Sequence, residues 1–228
     1  MTARDATRSA WTVPIACFAL AALALFTPLP AAHAQTGINA LTRRAESGDL
    51  QAMRDLANDY YLGRGVLQDY PEAARWYLKL AQRGDARAQT SIGLMYARGL
   101  GVKQDIAEAR KWWQLAAVQN DPGAQFDLGL LYAQGRGVPQ NDALAAKWFH
   151  EAAQRGHVDA QQNLGMLYFQ GRGVARDPVA AYMWVDIAAQ SGDRLAQQSL
   201  ARIAQHMTTD EVAQGRARAQ HWVDDHNH

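Results

Sequence analysis

The sequence predicts an all-α solenoid of antiparallel helix pairs, and three observations carry that reading. Gly63, Gly99, Gly135 and Gly171 are spaced by 36 residues, and Gly65, Gly101, Gly137 and Gly173 each follow two positions later. Trp76, Trp112, Trp148 and Trp184 keep the same interval, as do Tyr60, Tyr96, Tyr132 and Tyr168, and Ala52, Ala88, Ala124, Ala160 and Ala196. Within a unit the apolar residues recur at helical steps, as in Ala88, Ile92, Met95 and Tyr96, the stripe of an amphipathic helix. A fixed period of this length marks stacked units that bury a core only together.

Residues 1–34 stand apart from the array. Arg4 and Arg8 precede an apolar run from Ile15 to Phe26, and Ala32-His33-Ala34 sets small residues before Gln35. That is the pattern of a secretory signal peptide cut near Ala34/Gln35. The 12 apolar residues of the run would cover about 18 Å as a helix, short of a roughly 30 Å hydrocarbon core. A periplasmic or secreted chain with no integral membrane span after cleavage is therefore expected. Losing Arg4, Arg8 and Asp5 brings 23 basic and 22 acidic side chains to 21 of each, and Cys17, the only cysteine, leaves with them.

The rest divides by the period. Residues 35–47 read as an N-terminal partial repeat, four full repeats follow at 48–83, 84–119, 120–155 and 156–192, and 193–223 forms a half repeat with a capping helix. Residues 224–228 read as a frayed tail. In the second repeat, helix A runs from about Asp85 to Arg98 and ends at Gly99-Leu100-Gly101-Val102, where glycine tolerates positive φ. Helix B starts at Asp105, with Glu108 three residues on as in a capping box, and Asp69, Asn141 and Asp177 hold the equivalent post. It stops near Asn120, where the other copies carry Gly84, Gly156 and Gly192. Ala57, Gly93, Gly129, Gly165 and Ala201 repeat a small residue on helix A, and the recurring tryptophans are expected to fill the space it leaves. Thr208-Thr209-Asp210-Glu211 supplies a capping box for the last helix, which is expected to reach Trp222.

Composition excludes several classes. With 48% hydrophobic and 20% charged residues the chain is not intrinsically disordered. A net charge of +1 supplies no field for a nucleic-acid backbone. A single cysteine closes no intrachain disulfide and builds no multi-cysteine zinc cage. Gly63-Arg64-Gly65 lacks the third glycine of a dinucleotide loop, and His150-Glu151 lacks a second histidine at Gln154. His221, His226 and His228 beside Asp224 and Asp225 form either an adventitious metal trap or a flexible tail. No catalytic residue, metal or cofactor is assigned.

The second unit, Ala88-Gln89-Thr90-Ser91-Ile92-Gly93-Leu94-Met95-Tyr96-Ala97-Arg98-Gly99-Leu100-Gly101-Val102 and on through Trp112, closely resembles the Sel-one-like repeat (SLR) family of the tetratricopeptide superfamily. The resemblance extends over about Gly48 to Gly192. Ala57 and Ala201 depart from it in place of glycine, Asn141 in place of aspartate, and Asn120 in place of the closing glycine. It implies a right-handed superhelix with helices A lining a concave face, and a non-catalytic scaffold or adaptor role in protein complexes. Some cysteine-rich relatives are associated with β-lactam hydrolysis or penicillin binding, so a cell-wall-directed enzyme or β-lactam-binding protein is the alternative. Against it, Lys79, Lys103, Lys111 and Lys147 are preceded three positions earlier by Trp76, Leu100, Glu108 and Leu144, never by the serine of Ser-x-x-Lys.

By resemblance to tetratricopeptide repeats, helix A positions six and three before, and one, four and five after, the small residue face a ligand. They select Arg54 and Tyr61 in the first repeat, Arg87 and Arg98 in the second, Phe126, Leu130 and Gln134 in the third, and Gln162, Met166, Phe169 and Gln170 in the fourth. Phe126, Phe169 and Tyr61 place aromatics where the repeat does not require them, as a peptide anchor would. Leu130 and Met166 recur with Leu94 and fit packing between helices equally well. Arg54 and Arg98 either read acidic groups on a partner or are simply solvated. Five A helices about 9 to 10 Å apart would span roughly 40 Å, room for about 12 extended residues. The expected partner is a protein or peptide segment, with peptidoglycan-associated proteins among the candidates.

Overall fold

The computed structural model describes residues 30–226, so the apolar run at Ile15–Phe26 and His228 lie outside the described residues. Among the described residues there are helices and no strand: α1 Pro30–Glu46, α2 Leu50–Leu62, α3 Tyr70–Gln82, α4 Ala86–Arg98, α5 Ile106–Ala117, α6 Pro122–Gln134, α7 Asp142–Gln154, α8 Val158–Gln170, α9 Pro178–Gln190, α10 Arg194–Ala204 and α11 Thr209–His226. Each helix from α1 to α9 packs on the next, and α11 folds back onto α9. The A helices are α2, α4, α6, α8 and α10; the B helices are α3, α5, α7 and α9. None of the described helices is long and apolar enough to cross a membrane.

Each turn between A and B is closed by the same backbone economy. Gly99 takes a left-handed conformation (φ 70°) and returns its N–H to the Met95 carbonyl, and the chain then folds so that the Asp105 N–H donates to the Tyr96 carbonyl at 2.9 Å. Asp69, Asn141 and Asp177 make the equivalent bond to Tyr60, Tyr132 and Tyr168. This modifies the expected capping box. The Asp105 carboxylate does accept from the Ala107 and Glu108 amides at 2.9 and 3.0 Å, but its own N–H is already occupied, so Glu108 turns outward to pair with Lys111.

Gly101 serves the stacking. A Cβ on it would lie 2.2 Å from the Tyr70 carbonyl carbon, and Gly137 and Gly173 stand similarly close to Ile106 and Asp142, so the second loop glycine lets each loop after the first sit on the first turn of the preceding helix B. At the opposite junction, where B passes to A, Asn120 is the non-glycine residue with positive φ (65°). Its side-chain oxygen accepts from Arg155 one repeat on, and asparagine carries this conformation at low cost.

Two further features join the repeats. Gln89, Gln125 and Gln161 are buried and donate to the carbonyls of Ala81, Ala117 and Ala153, at 3.1, 3.2 and 3.2 Å. Each adds a second donor to a carbonyl in the last turn of the preceding helix B, which also accepts from the N–H of Gly84, Asn120 or Gly156 in the turn. The recurring tryptophans do not fill the gap over the small residue. That place belongs to the following residue: an ideal Cβ on Gly93 would meet Trp113 Nε1 at 2.6 Å, one on Gly129 would meet Phe149 at 2.5 Å, and one on Gly165 would meet Val185 at 2.5 Å. Trp112, Trp148 and Trp184 pack instead on the core of the repeat before their own. On a helix, adjacent residues point about 100° apart, and the period, common to both positions, does not say which of the two faces its own helix A.

The termini differ from expectation in extent. α1 starts at Pro30, upstream of the expected cut after Ala34. The Thr208–Glu211 box forms, with Glu211 N–H donating to Thr208 Oγ1 at 3.2 Å and Thr208 N–H to Glu211 Oε2 at 2.8 Å. The helix it starts continues past Trp222 to His226, so residues 224–226 are helical and not a frayed tail. His226 stacks on Trp222, ring centroids 4.0 Å apart. Among the described residues no group of three His, Cys, Asp or Glu is placed to hold a metal ion.

Filling the closest approach should be costly and repairable. Gly93→Ala is expected to destabilise the array by about 1–3 kcal/mol through overpacking. Adding Trp113→Val should recover part of that loss, giving a coupling of about 1 kcal/mol in a double-mutant cycle followed by urea unfolding; strict additivity would refute the contact.

Candidate functional site

The A helices stand side by side, and one register ties them. The residue three before the small position meets the N-cap of the next A helix. Arg54 pairs with Asp85 at 2.6 Å, Thr90 Oγ1 donates to Asp121 at 2.9 Å, and Phe126 stacks on His157 with centroids 4.5 Å apart. Every partner here is itself a cap: the Asp85 and Asp121 carboxylates accept from Ala88 and Ala124 amides at 2.8 and 2.9 Å, and His157 Nδ1 accepts from Ala160 at 3.3 Å. Donors face aspartates, whereas the aromatic faces the imidazole. Gln162 holds the same place on α8.

This removes several residues from the expected binding surface. Arg54 is spent on Asp85 and on Gln51. Phe126 lies between His157 and Phe149 (5.8 Å), so truncating it would disturb packing as well as any contact. Tyr61 is edge-on to Tyr70 and Tyr77, at 5.5 and 6.3 Å. Met166 and Phe169 pack with the last repeat's core, and Phe169 also meets His206 edge-on at 5.7 Å. Arg87 and Gln170 are exposed, Arg87 beside Gln51 and Arg54 in a shallow depression.

Arg98, Leu130 and Gln134 come together. They line a cavity of about 120 Å³ between α4, α5 and α6, with Leu94 and Ala97 on one wall, Trp113 behind, and Arg136 at the loop side. Its one carboxylate is Asp127, which the sequence reasoning passed over. The equivalent Asp55 accepts from the Gln51 side chain at 2.7 Å, while Ser91 and Asn163, which can donate, bond to the backbone carbonyls of Arg87 and Asp159, a partner closed to a carboxylate. For Asp127 the residue four earlier is Gly123, which has no side chain to offer. Among the described residues no hydrogen bond or ion pair reaches it. Burial pushes its carboxyl up to about 7, with the Arg98 charge opposing and Asp121 adding to the rise. An acidic residue on helix A preceded at i−4 by glycine was the signal available in the sequence.

Comparison with known proteins places this geometry in a family. The Sel1 repeat model matches residues 50–85, 86–121, 122–157 and 158–193. The chain belongs to the Sel1 repeat family. Those windows have the 36-residue period of the expected repeats, displaced by two residues so that each opens on helix A. Among solved structures it is similar to a protective antigen present in uropathogenic Escherichia coli strains displaying an SLR fold. That match has 35% identity over 84% of this chain and 42% of that one, TM-score 0.73. It is also similar to a Sel1 repeat protein from Oxalobacter formigenes, with 37% identity over 73% and 48% of the two chains, TM-score 0.66. The chain thus matches less than half the length of either. No curated protein matches it. Sel1 repeat proteins are generally scaffolds for protein–protein interaction.

Two titrations test the electrostatics. Burial lowers the His157 pKa from 6.5; with a folded value below the unfolded one, its contribution to stability is full above pH 6.5 and is lost as pH falls through the folded value. His157→Asp, which restores the acidic cap of the other repeats, should therefore unfold less readily than wild type in mild acid, by about 1 kcal/mol. Asp127 has the opposite sign. Its folded pKa lies above 3.8, so its charge costs stability above about pH 7 and that cost fades as pH drops toward 3.8. Asp127→Asn should raise stability at pH 8 by about 2 kcal/mol and match wild type near pH 4 in urea titrations; equal stability at both pH values would contradict the assignment.

Proposed function

We propose that this Sel1 repeat chain is an exported, non-catalytic scaffold that holds a protein or peptide segment along its A-helix face, the concave side of the solenoid. The observation that carries the reading is the cavity between α4 and α6, which Arg98, Leu130 and Gln134 line together with the Asp127 carboxylate, reached by no hydrogen bond or ion pair among the described residues. Elsewhere on this face the polar and aromatic groups are largely consumed in joining one repeat to the next. A side-chain-sized recess with an apolar wall and a few polar groups suits recognition by a few anchoring groups. Export is supported by the leader pattern ahead of Gln35 and by the loss of the sole cysteine with it.

A photocrosslinking amino acid at Gln134, introduced in cells of the source organism, should trap a partner that the same group at Lys111 on helix B does not. Arg98→Glu should reduce that product severalfold without loss of helicity. Equal trapping at both sites would place the interface elsewhere. The mature protein should begin at or near Gln35 by intact mass and fractionate with the cell envelope.

A further inference from the structure

Asp127 is a half-buried carboxylate at the wall of a recess, left without an internal donor because Gly123 occupies the place that Gln51 fills for Asp55. Leu94, Ala97 and Leu130 give the recess an apolar wall. We propose that the recess admits a basic side chain of the bound segment, a lysine above all, whose methylene stem lies along that wall and whose ammonium closes on Asp127. The proposal rests on the scaffold reading above and specifies the chemistry of its partner.

Charge and shape agree on this occupant. An ammonium on a flexible apolar stem matches a carboxylate set behind aliphatic side chains, and a desolvated carboxylate gains most from a counter-ion that brings its own donors. The charged groups facing Asp127 are Arg98 from α4, Arg136 from the loop after α6, and Asp121 at the start of its own helix. Asp121 is already engaged by Thr90 and Ala124. Arg98 and Arg136 are exposed, and they favour an acidic residue on the segment beside its lysine. The two arginines thus select against a uniformly basic partner and for one of alternating charge.

The ammonium binds the ionised form, so occupancy is linked to pH. With the free carboxyl titrating at about 7, the ionised fraction rises about tenfold from pH 6 to pH 8 and the apparent affinity rises with it.

The test uses n-butylammonium, a lysine side chain without its backbone, titrated into the protein from Gln35 onward while carbon-13 NMR follows the Asp127 carboxyl. The expected result is a saturable shift, about tenfold tighter at pH 8 than at pH 6, absent for n-butanol and absent in Asp127→Asn. That variant removes a costly charge and is expected to fold at least as well as wild type. A linear response, saturation that persists in Asp127→Asn, or a free carboxyl titrating near 4 would overturn the proposal. None of these outcomes depends on a natural partner, so a failed crosslink at Gln134 with positive butylammonium binding would count against the scaffold reading alone.

Discussion

The structure depends on how closely the two helices of its second, third and fourth repeats approach. At Gly93, Gly129 and Gly165 the facing side chains of Trp113, Phe149 and Val185 sit where a Cβ would otherwise stand. Three side chains of very different size occupy equivalent places, so in these three repeats the constraint is the absence of a Cβ on helix A and not the identity of what fills the gap, whereas the first repeat holds Ala57 there. That close contact commits the residue after each recurring tryptophan to its own repeat. The tryptophan itself is then free to reach the repeat before, which makes the array continuous rather than a string of hairpins.

Polar groups repeat the same logic. The Tyr96-type carbonyl takes the N–H of the helix B cap, the Gln89-type amide takes a carbonyl at the end of the preceding helix B, and the helix A cap takes a group from the preceding helix A. Terminal backbone groups left over by the helices are met by local turns and caps and, at these positions, by bonds across a junction. Asp127 stands apart on the A-helix face as a half-buried carboxylate that no hydrogen bond or ion pair reaches among the described residues. A carboxylate held unpaired and partly desolvated costs stability while it is charged. The hydrogen-bond donor is absent because Gly123 stands where Gln51 supplies it in the first repeat.

Much of this was readable in the chain. The glycine, tyrosine and alanine intervals prescribe paired helices and their turns, because positive φ and capping are local demands that few residues meet. Asp69, Asp105, Asn141 and Asp177 cap helix B as their spacing implies. The candidate site was readable only in part. Arg98, Leu130 and Gln134 do share a cavity. Arg54, Phe126 and Tyr61 fell on positions of the right register, yet their side chains are held by Asp85, His157, and Tyr70 with Tyr77, residues that lie between 9 and 31 positions along the chain.

The division has a physical cause. Periodicity reports what every repeat must do alike: start a helix, end it, turn, and stay small where two backbones meet. It carries no information on how one repeat's variable side chain is answered by the next, since that answer depends on the offset at which neighbouring A helices come to rest. Stacking sets that offset, and with it Arg54 is neutralised, Phe126 is covered, and Asp127 is left facing an open recess.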